Sequence, residues 1–246
     1  MRKVNEDNYK CLSIWGGEGV LLVVCDGMGG HRAGEIASKR AIEEFSDKIV
    51  SSPCLAEDED DCLDEIRRTM IIAAKEANEM LFHLSSDMAE FSGMGTTLVA
   101  GIIFRNKLYC VNIGDSRLYI IRRTGAEQIT HDHSFVQYLV DFGKLSAEEA
   151  KNYPRKNVIT QAVGINENPS ADFFCVNLKN RGNGFILLCS DGLSNYVDEN
   201  VMLDILYGSP QKTEDEINLT EATEQLIEYA NTKGGADNIT AVLAQF

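Results

Sequence analysis

LLVVCDG, Leu21–Gly27, is an uninterrupted apolar run that ends on an aspartate and a glycine. A short apolar run rich in Val and Leu predicts a buried strand, with Asp26 at its tip. The pattern recurs at FILLCSDG, Phe185–Gly192, which places Asp191. It is mirrored at GGADNITAVL, Gly234–Leu243, where Asp237 precedes the apolar residues, and NIGDSR, Asn112–Arg117, places Asp115 between two such runs. Several carboxylates at buried strand tips cannot all stay ionised without a counter-charge between them. A divalent metal ion is the expected counter-charge.

Outward from these runs, strands are expected near residues 20–25, 97–104, 108–113, 117–121, 173–178, 185–189 and 239–244. The links Arg105-Asn106-Lys107 and Gly114-Asp115-Ser116 are too short for parallel crossovers, so the strands they join are expected to be antiparallel neighbours. Between the first strand and this meander lie two helical patterns. One runs from Ala33 to Val50 with Ala37, Ala41, Phe45 and Ile49 on one face. The other carries Leu63, Ile66, Met70, Ala73, Ala77, Leu81 and Leu84 at alternating spacings of three and four, a core-facing stripe. The acidic run Glu57 to Asp61 reads as a solvated loop or helix start. A further helix, Thr220 to Asn231, ends at Gly234-Gly235. Residues 131–164 have weaker periodicity, with short helical pieces at Phe135–Asp141 and Ser146–Lys151, and read as a flap leaving the core.

With 246 residues, 44% of them hydrophobic, the chain can bury one substantial core, so a single domain spanning 1–246 is expected. Its formal charge of -15 argues against nucleic-acid and anionic-membrane partners. The 7 cysteines form no C-x-x-C pair, and Cys25, Cys110 and Cys189 sit inside apolar runs, which fits a reduced, cytoplasmic protein. No segment approaches the ~18 apolar residues that read as a membrane span.

Asp26 and Asp191, each followed by glycine, can approach one point from adjoining strand ends, and Asp237 can reach the same rim if its strand runs antiparallel. Gly27 and Gly192 allow a sharp turn and can offer a carbonyl oxygen. Hard cations such as Mg2+ and Mn2+ take such oxygen donors. Competing motifs fail. Gly27-Met28-Gly29-Gly30 lacks the Gly-Lys-Ser/Thr of a phosphate loop, Arg32 breaks the G-x-G-x-x-G spacing, and there is no G-x-S-x-G nucleophile elbow. His131 and His133 have no third soft ligand and read as turn or supporting residues.

Taken in order, the segments resemble the PPM, or type 2C, metal-dependent Ser/Thr protein phosphatases of bacterial stand-alone type. Arg2-x-x-Asn5-Glu6-Asp7, Asp26-Gly-Met-Gly-Gly-His31 with Ala33-Gly34-Glu35, Met94-Gly-Thr-Thr97 and Gly114-Asp-Ser-Arg117 carry the likeness. Asp132-His-Ser134, Asn157-Val-Ile-Thr160 with Gly164, Ser190-Asp-Gly192 and Asp237-Asn-Ile-Thr240 continue it over almost the whole chain. The resemblance implies an α+β fold, a four-layer α-β-β-α sandwich of two antiparallel sheets flanked by helical pairs, with a flap subdomain.

It also implies hydrolysis of phosphoserine and phosphothreonine by a metal-activated water, with two Mn2+ or Mg2+ ions. Asp26 would bridge both ions, Gly27 would lend its carbonyl to the first, and Asp191 with Asp237 would hold the second. Glu6 and Asp7 would act through metal-bound water, and Asp115 would serve a third, weaker site. Arg2 would grip the substrate phosphate with its planar fork of donors. The family pattern has a strand ahead of that arginine, whereas here Arg2 follows directly on Met1. Animal members carry a general-acid histidine where this chain has Met28, leaving His31 or a metal-bound water for that role. The implied setting is a cytoplasmic monomer that acts on phosphorylated proteins and opposes a Ser/Thr kinase. Two other readings stand beside it: a catalytically silent phosphoprotein-binding or partner-switching relative, and a small phosphomonoester hydrolase.

Overall fold

The computed structural model describes residues 4–29, 32–179, 182–208 and 214–246. Arg2 and His31, both singled out by the sequence, lie outside the described residues. In chain order the elements are β1 (Asp7–Ile14), β2 (Gly19–Met28), α1 (Ala33–Ser51), α2 (Glu59–Asp87), β3 (Gly95–Thr96), β4 (Leu98–Phe104) and β5 (Lys107–Ile113). They continue with β6 (Arg117–Arg122), β7 (Gly125–Gln128), α3 (Phe135–Asp141), α4 (Ala147–Lys151), β8 (Asp172–Asn177) and β9 (Phe185–Cys189). The last are α5 (Asp191–Ser194), α6 (Glu199–Tyr207), α7 (Leu219–Lys233) and β10 (Ala241–Gln245).

Among the described residues the strands form two antiparallel sheets. One is ordered β1-β2-β4-β5-β8 with β3 paired to β2, and the other is ordered β10-β9-β6-β7. Period-two alternation explains the layers. Leu21, Val23 and Cys25 on one face of β2 pack with Phe45, Ile49, Ile66 and Met70 of α1 and α2. Leu22 and Val24 on the other face meet Leu118, Ile120, Ile186 and Leu188 of the second sheet. The outer face of that sheet, with Leu187 and Cys189, is covered by Leu206 of α6 and by Leu226 and Ala230 of α7. A strand sandwiched between a helix layer and a second sheet must be apolar on both faces, so LLVVC shows no alternation. The expected α-β-β-α arrangement is present.

Several sequence expectations need correction. β5 and β6, joined by Gly114-Asp115-Ser116, are not sheet neighbours: β5 pairs with β4 and β8, and β6 pairs with β7 and β9. The three-residue link instead carries the chain from one packed sheet to the other. The hairpin expectation holds for β4 and β5, whose turn residues Arg105 and Asn106 have φ of 48° and 59°. Asp26 does not close its strand, because β2 runs on to Met28 and pairs there with β3. Asp26 and Asp191 also come from different sheets, so they converge across the sandwich and not from adjoining strands of one sheet.

The acidic run is a helix start. Asp58 caps α2, accepting from the backbone N–H groups of Asp60 (2.8 Å) and Asp61 (3.2 Å), which satisfies donors that the first turn leaves open. Those donors hold the Asp58 carboxyl below its usual range. Besides the very short β3, β7 and α5, two longer elements were not expected from periodicity. β1 is an edge strand with exposed residues alternating along it, and α6 is a single short apolar segment that pattern alone cannot assign. No helix of the described residues is long and apolar enough to cross a membrane.

Candidate active site

The acidic residues gather at one rim of the sandwich, and backbone pairing is the first reason. Asp7 lies directly opposite Asp26 in the β1/β2 register, so both carboxylates leave the sheet at the same level. The Gly95-Thr96-Thr97 segment clamps Asp26 from the other side. Thr97 Oγ1 accepts from Asp26 N at 2.9 Å, and Thr96 Oγ1 donates to Asp26 O at 2.9 Å. Thr97 Oγ1 also bonds Ser116 Oγ at 2.7 Å, tying this clamp to the turn that carries Asp115.

The second sheet delivers the other carboxylates. β9 and β10 run antiparallel, so the residue after one and the residues before the other meet at the same edge. Ser190 N donates to Thr240 O at 3.1 Å. Thr240 N donates to Ser190 Oγ at 3.0 Å, closing the edge. A Cβ on Gly192 would strike the Asn238 carbonyl, so only glycine lets the Asp191 turn lie against the Asp237-Asn238 segment. Gly27 is equally crowded, against the Gly34 carbonyl.

The two halves are latched by Asn238. Its Oδ1 accepts from Glu6 N at 3.0 Å, and its Nδ2 donates to Val4 O at 3.1 Å. Asp7 Oδ2 accepts from Ser190 Oγ at 2.7 Å and from Thr240 Oγ1 at 2.8 Å. Asp7 Oδ1 is buried and has no hydrogen-bond donor among the described residues. Glu6 and Asp7 are buried, while Asp26, Asp115, Asp191 and Asp237 are half-buried.

Electrostatics show how close the group is. Burial holds the Asp26 carboxyl well above its usual range, and the charges of Asp7, Asp191, Asp115 and Asp237 push it further in the same direction. Burial likewise raises Asp115, to about 7, with Asp191 and Asp132 adding to the effect. Asp7 is raised by burial and by Asp191 and Asp237, although its hydroxyl donors oppose the shift.

This is a set of oxygen donors at electrostatic range with too little positive charge among them, and that fits hard divalent cations. It is not a closed ligand shell: no group of three or more His, Cys, Asp or Glu among the described residues forms a ready-made metal site. Cations of this type complete their coordination with water and need few direct carboxylates.

Further residues hold the site in place, His133 in the supporting role expected of it and Asn112 and Asn78 in roles the sequence did not show. His133 Nδ1 accepts from Gly114 N at 3.2 Å, and its Nε2 bonds Asp172 Oδ2 at 3.2 Å, which fixes the Asp115 turn against β8. Asn112 Nδ2 donates to Gly114 O on the same turn and to His131 O beyond β7. Arg117 grips Asp132 with its Nε and Nη2 groups. Buried Asn78 of α2 accepts from Gly164 N at 2.7 Å and donates to Asn166 O and Glu167 O at 3.0 Å. A lone Asn beside an apolar helix stripe was the signal that could have found this anchor of the segment following the flap.

Two antiparallel sheets, paired helices outside them and aspartates at one rim define a class of metal-dependent phosphatase folds. The family model described as Protein phosphatase 2C matches residues 17–137. A serine/threonine phosphatase stp from Listeria monocytogenes is 37% identical over 246 residues, covering 100% of this chain and 91% of that protein. The protein phosphatase PhpP of Streptococcus pneumoniae is 37% identical over 223 residues, covering 91% of this chain and 84% of its own length. The crystal structure of serine/threonine phosphatase Stp1 from Staphylococcus aureus superposes with a TM-score of 0.87 at 34% identity, covering 100% of this chain and 90% of that one. The chain belongs to the protein phosphatase 2C family, whose members depend on Mn2+ or Mg2+.

Proposed function

We propose that the aspartate rim is the catalytic centre with which this serine/threonine protein phosphatase removes phosphate from phosphoserine and phosphothreonine in proteins. Asp26, the Gly27 carbonyl, Asp191 and Asp237 would hold two divalent ions, with Glu6 and Asp7 acting through intervening water and Asp115 serving a third, weaker site. Bound there, divalent ions lower the pKa of a water and neutralise the oxygens of an in-line phosphoryl displacement. The chain's own residues arrange that centre. Asp7 is oriented by Ser190 and Thr240, the Asp26 backbone is fixed by Thr96 and Thr97, and the Asp115 turn is braced by Asn112 and His133. Arg2 is assigned to the substrate phosphate, and His31 or a water to protonation of the leaving oxygen.

The observation that carries this reading is the gathering of Asp7, Asp26, Asp115, Asp191 and Asp237 at one rim, where burial and neighbouring carboxylates raise Asp7, Asp26 and Asp115 and a cation among them would favour their ionised forms. The flap of residues 131–164 presents Tyr138 and Phe142, both exposed, a surface suited to a protein substrate. The further elements of the proposal are a single catalytic domain over 1–246, a cytoplasmic monomer, and opposition to a Ser/Thr kinase.

The test is phosphate release from a phosphothreonine peptide and from a sugar phosphate, in Mn2+ and after chelation. Release from the peptide that chelator abolishes is expected. Equal turnover of the sugar phosphate, or release that survives chelation, overturns the reading.

A further inference from the structure

The connection between α1 and α2 brings two thiols into contact far from any role in phosphate chemistry. Cys54 lies in that connection and Cys62 in the first turn of α2, 8 positions on, and their Sγ atoms are 3.1 Å apart in a buried setting. Both are free thiols. The contact is built into the local structure. Glu65 Oε2 accepts from the backbone N–H groups of Leu55 at 3.3 Å and Ala56 at 3.1 Å, holding the segment that carries Cys54. Arg105 Nη1 donates to Ala56 O at 2.7 Å and pins the same segment to the β4–β5 hairpin.

The two sulfurs differ in their surroundings. Cys62 lines a surface cavity of about 360 Å³ together with Glu57, Glu59, Arg105, Lys107 and Tyr109, and Cys54 does not. Arg105 and Lys107 share that cavity with Glu57 and Glu59, and Lys107 is paired with Glu59 at 3.0 Å. Burial and the neighbouring Cys62 push the Cys54 thiol up to about 12, so it keeps its proton. Both thiols are buried, Cys54 8% and Cys62 2% exposed, so the cavity that borders Cys62 is the route by which an oxidant reaches the pair, with Cys54 as the partner sulfur.

We propose that Cys54 and Cys62 are a peroxide-reactive pair that closes a reversible disulfide across the start of α2. Cys62 sulfur attacks one oxygen of hydrogen peroxide, the O–O bond breaks, and the other oxygen leaves as water with the thiol's proton, giving a sulfenic acid. Cys54 sulfur then displaces the sulfenic oxygen: an S–S bond forms, the S–O bond breaks, and a second water leaves with the Cys54 proton. Two thiols lose two electrons in total and one peroxide gains them. A dithiol reductant returns the pair by exchange. In a reducing compartment such a bond is transient, which suits a sensor and not a structural brace.

Trypsin leaves both cysteines in one peptide, Ile49–Arg67, because no Lys or Arg falls between its ends. The intact protein is exposed to hydrogen peroxide, its remaining thiols are alkylated, and the digest is weighed without reduction. The expected product is this peptide lighter by two hydrogens than the reduced form and carrying no alkyl group, restored by dithiothreitol. It should form before the exposed Cys11 and Cys175 are consumed. Full alkylation of Cys54 and Cys62 while Cys11 and Cys175 oxidise overturns the proposal, as does Cys62 linked to Cys175. In Cys54→Ser, dimedone should label Cys62, whereas in Cys62→Ser it should not label Cys54. The reverse pattern overturns the assigned order of attack.

Discussion

The hydroxyl of Ser190 donates to Asp7 Oδ2 at 2.7 Å, joining residues 183 positions apart and linking the first strand of one sheet to the end of β9 in the other. Thr240 Oγ1 donates to the same oxygen at 2.8 Å. Ser190 also accepts from Thr240 N, so it closes the edge between β9 and β10 as well. One serine therefore positions an acidic side chain and holds two strands together.

Ser190→Ala removes a buried donor and a buried acceptor at once and leaves the Thr240 N–H and one Asp7 bond unmet. A loss of about 2 to 3 kcal/mol in urea denaturation is expected. Thr240→Val, which removes only the bond to Asp7, should cost less, about 1 to 2 kcal/mol. Equal effects of the two substitutions would show that Ser190 does not bridge the sheets in solution.

Asp191→Asn should reduce turnover of a phosphothreonine peptide in Mn2+ by roughly a hundredfold or more, while circular dichroism stays native. The charge of Asp191 raises the pKa of both Asp26 and Asp115. Its removal relieves repulsion, so in chelator the variant should melt no lower than the parent. Retained turnover removes Asp191 from the reaction.

The pH dependence of the metal-free protein follows from Asp115. Its carboxyl titrates near 4 when unfolded and near 7 when folded. The folded state therefore binds this proton more tightly, and the stability so contributed is complete at low pH and lost as pH rises through that window. In chelator, the melting temperature of the parent should fall relative to that of Asp115→Asn between about pH 4 and pH 7. Mn2+ should restore the parent at neutral pH. Parallel melting profiles for the two proteins in chelator would contradict the shifted carboxyl.

Arg117 and buried Asp132 form a fork-to-fork pair, Nε to Oδ1 at 3.0 Å and Nη2 to Oδ2 at 2.7 Å. Arg117→Met leaves the buried carboxylate without its cation, with Gln128 Nε2 at 2.9 Å still donating to it, and should cost about 3 kcal/mol. The double variant Arg117→Met with Asp132→Leu should recover much of that loss, since an apolar pair of similar volume replaces a buried ion pair at little net cost. Additive losses in a denaturant-based double-mutant cycle would argue that the two residues do not act as a pair.

Much of the fold was legible because local rules were strong. α1, α2 and α7 announced themselves by period, β2 and β9 by unbroken apolar runs, and Asp26, Asp191 and Asp237 by their position beside those runs. β1 and α6 were not legible, one being a polar edge strand and the other too short for its periodicity to be read. The braces around the site were hidden for another reason. Ser190, Thr240 and Asn238 are ordinary polar residues until their distant partners are known.

By its local patterning the chain determined which segments become strands and helices, and which carboxylates stand at apolar strand edges, because side-chain period and turn chemistry act over a few residues. Only the tertiary structure decided that Gly114-Asp115-Ser116 crosses between sheets, that Asp26 and Asp191 meet from opposite sheets, and that Asp7 is held by residues near the other end of the chain. Sheet-to-sheet packing brings those groups together across distances in sequence that no local rule spans. Their mutual repulsion, and with it the place for a cation, exists only after that packing is complete.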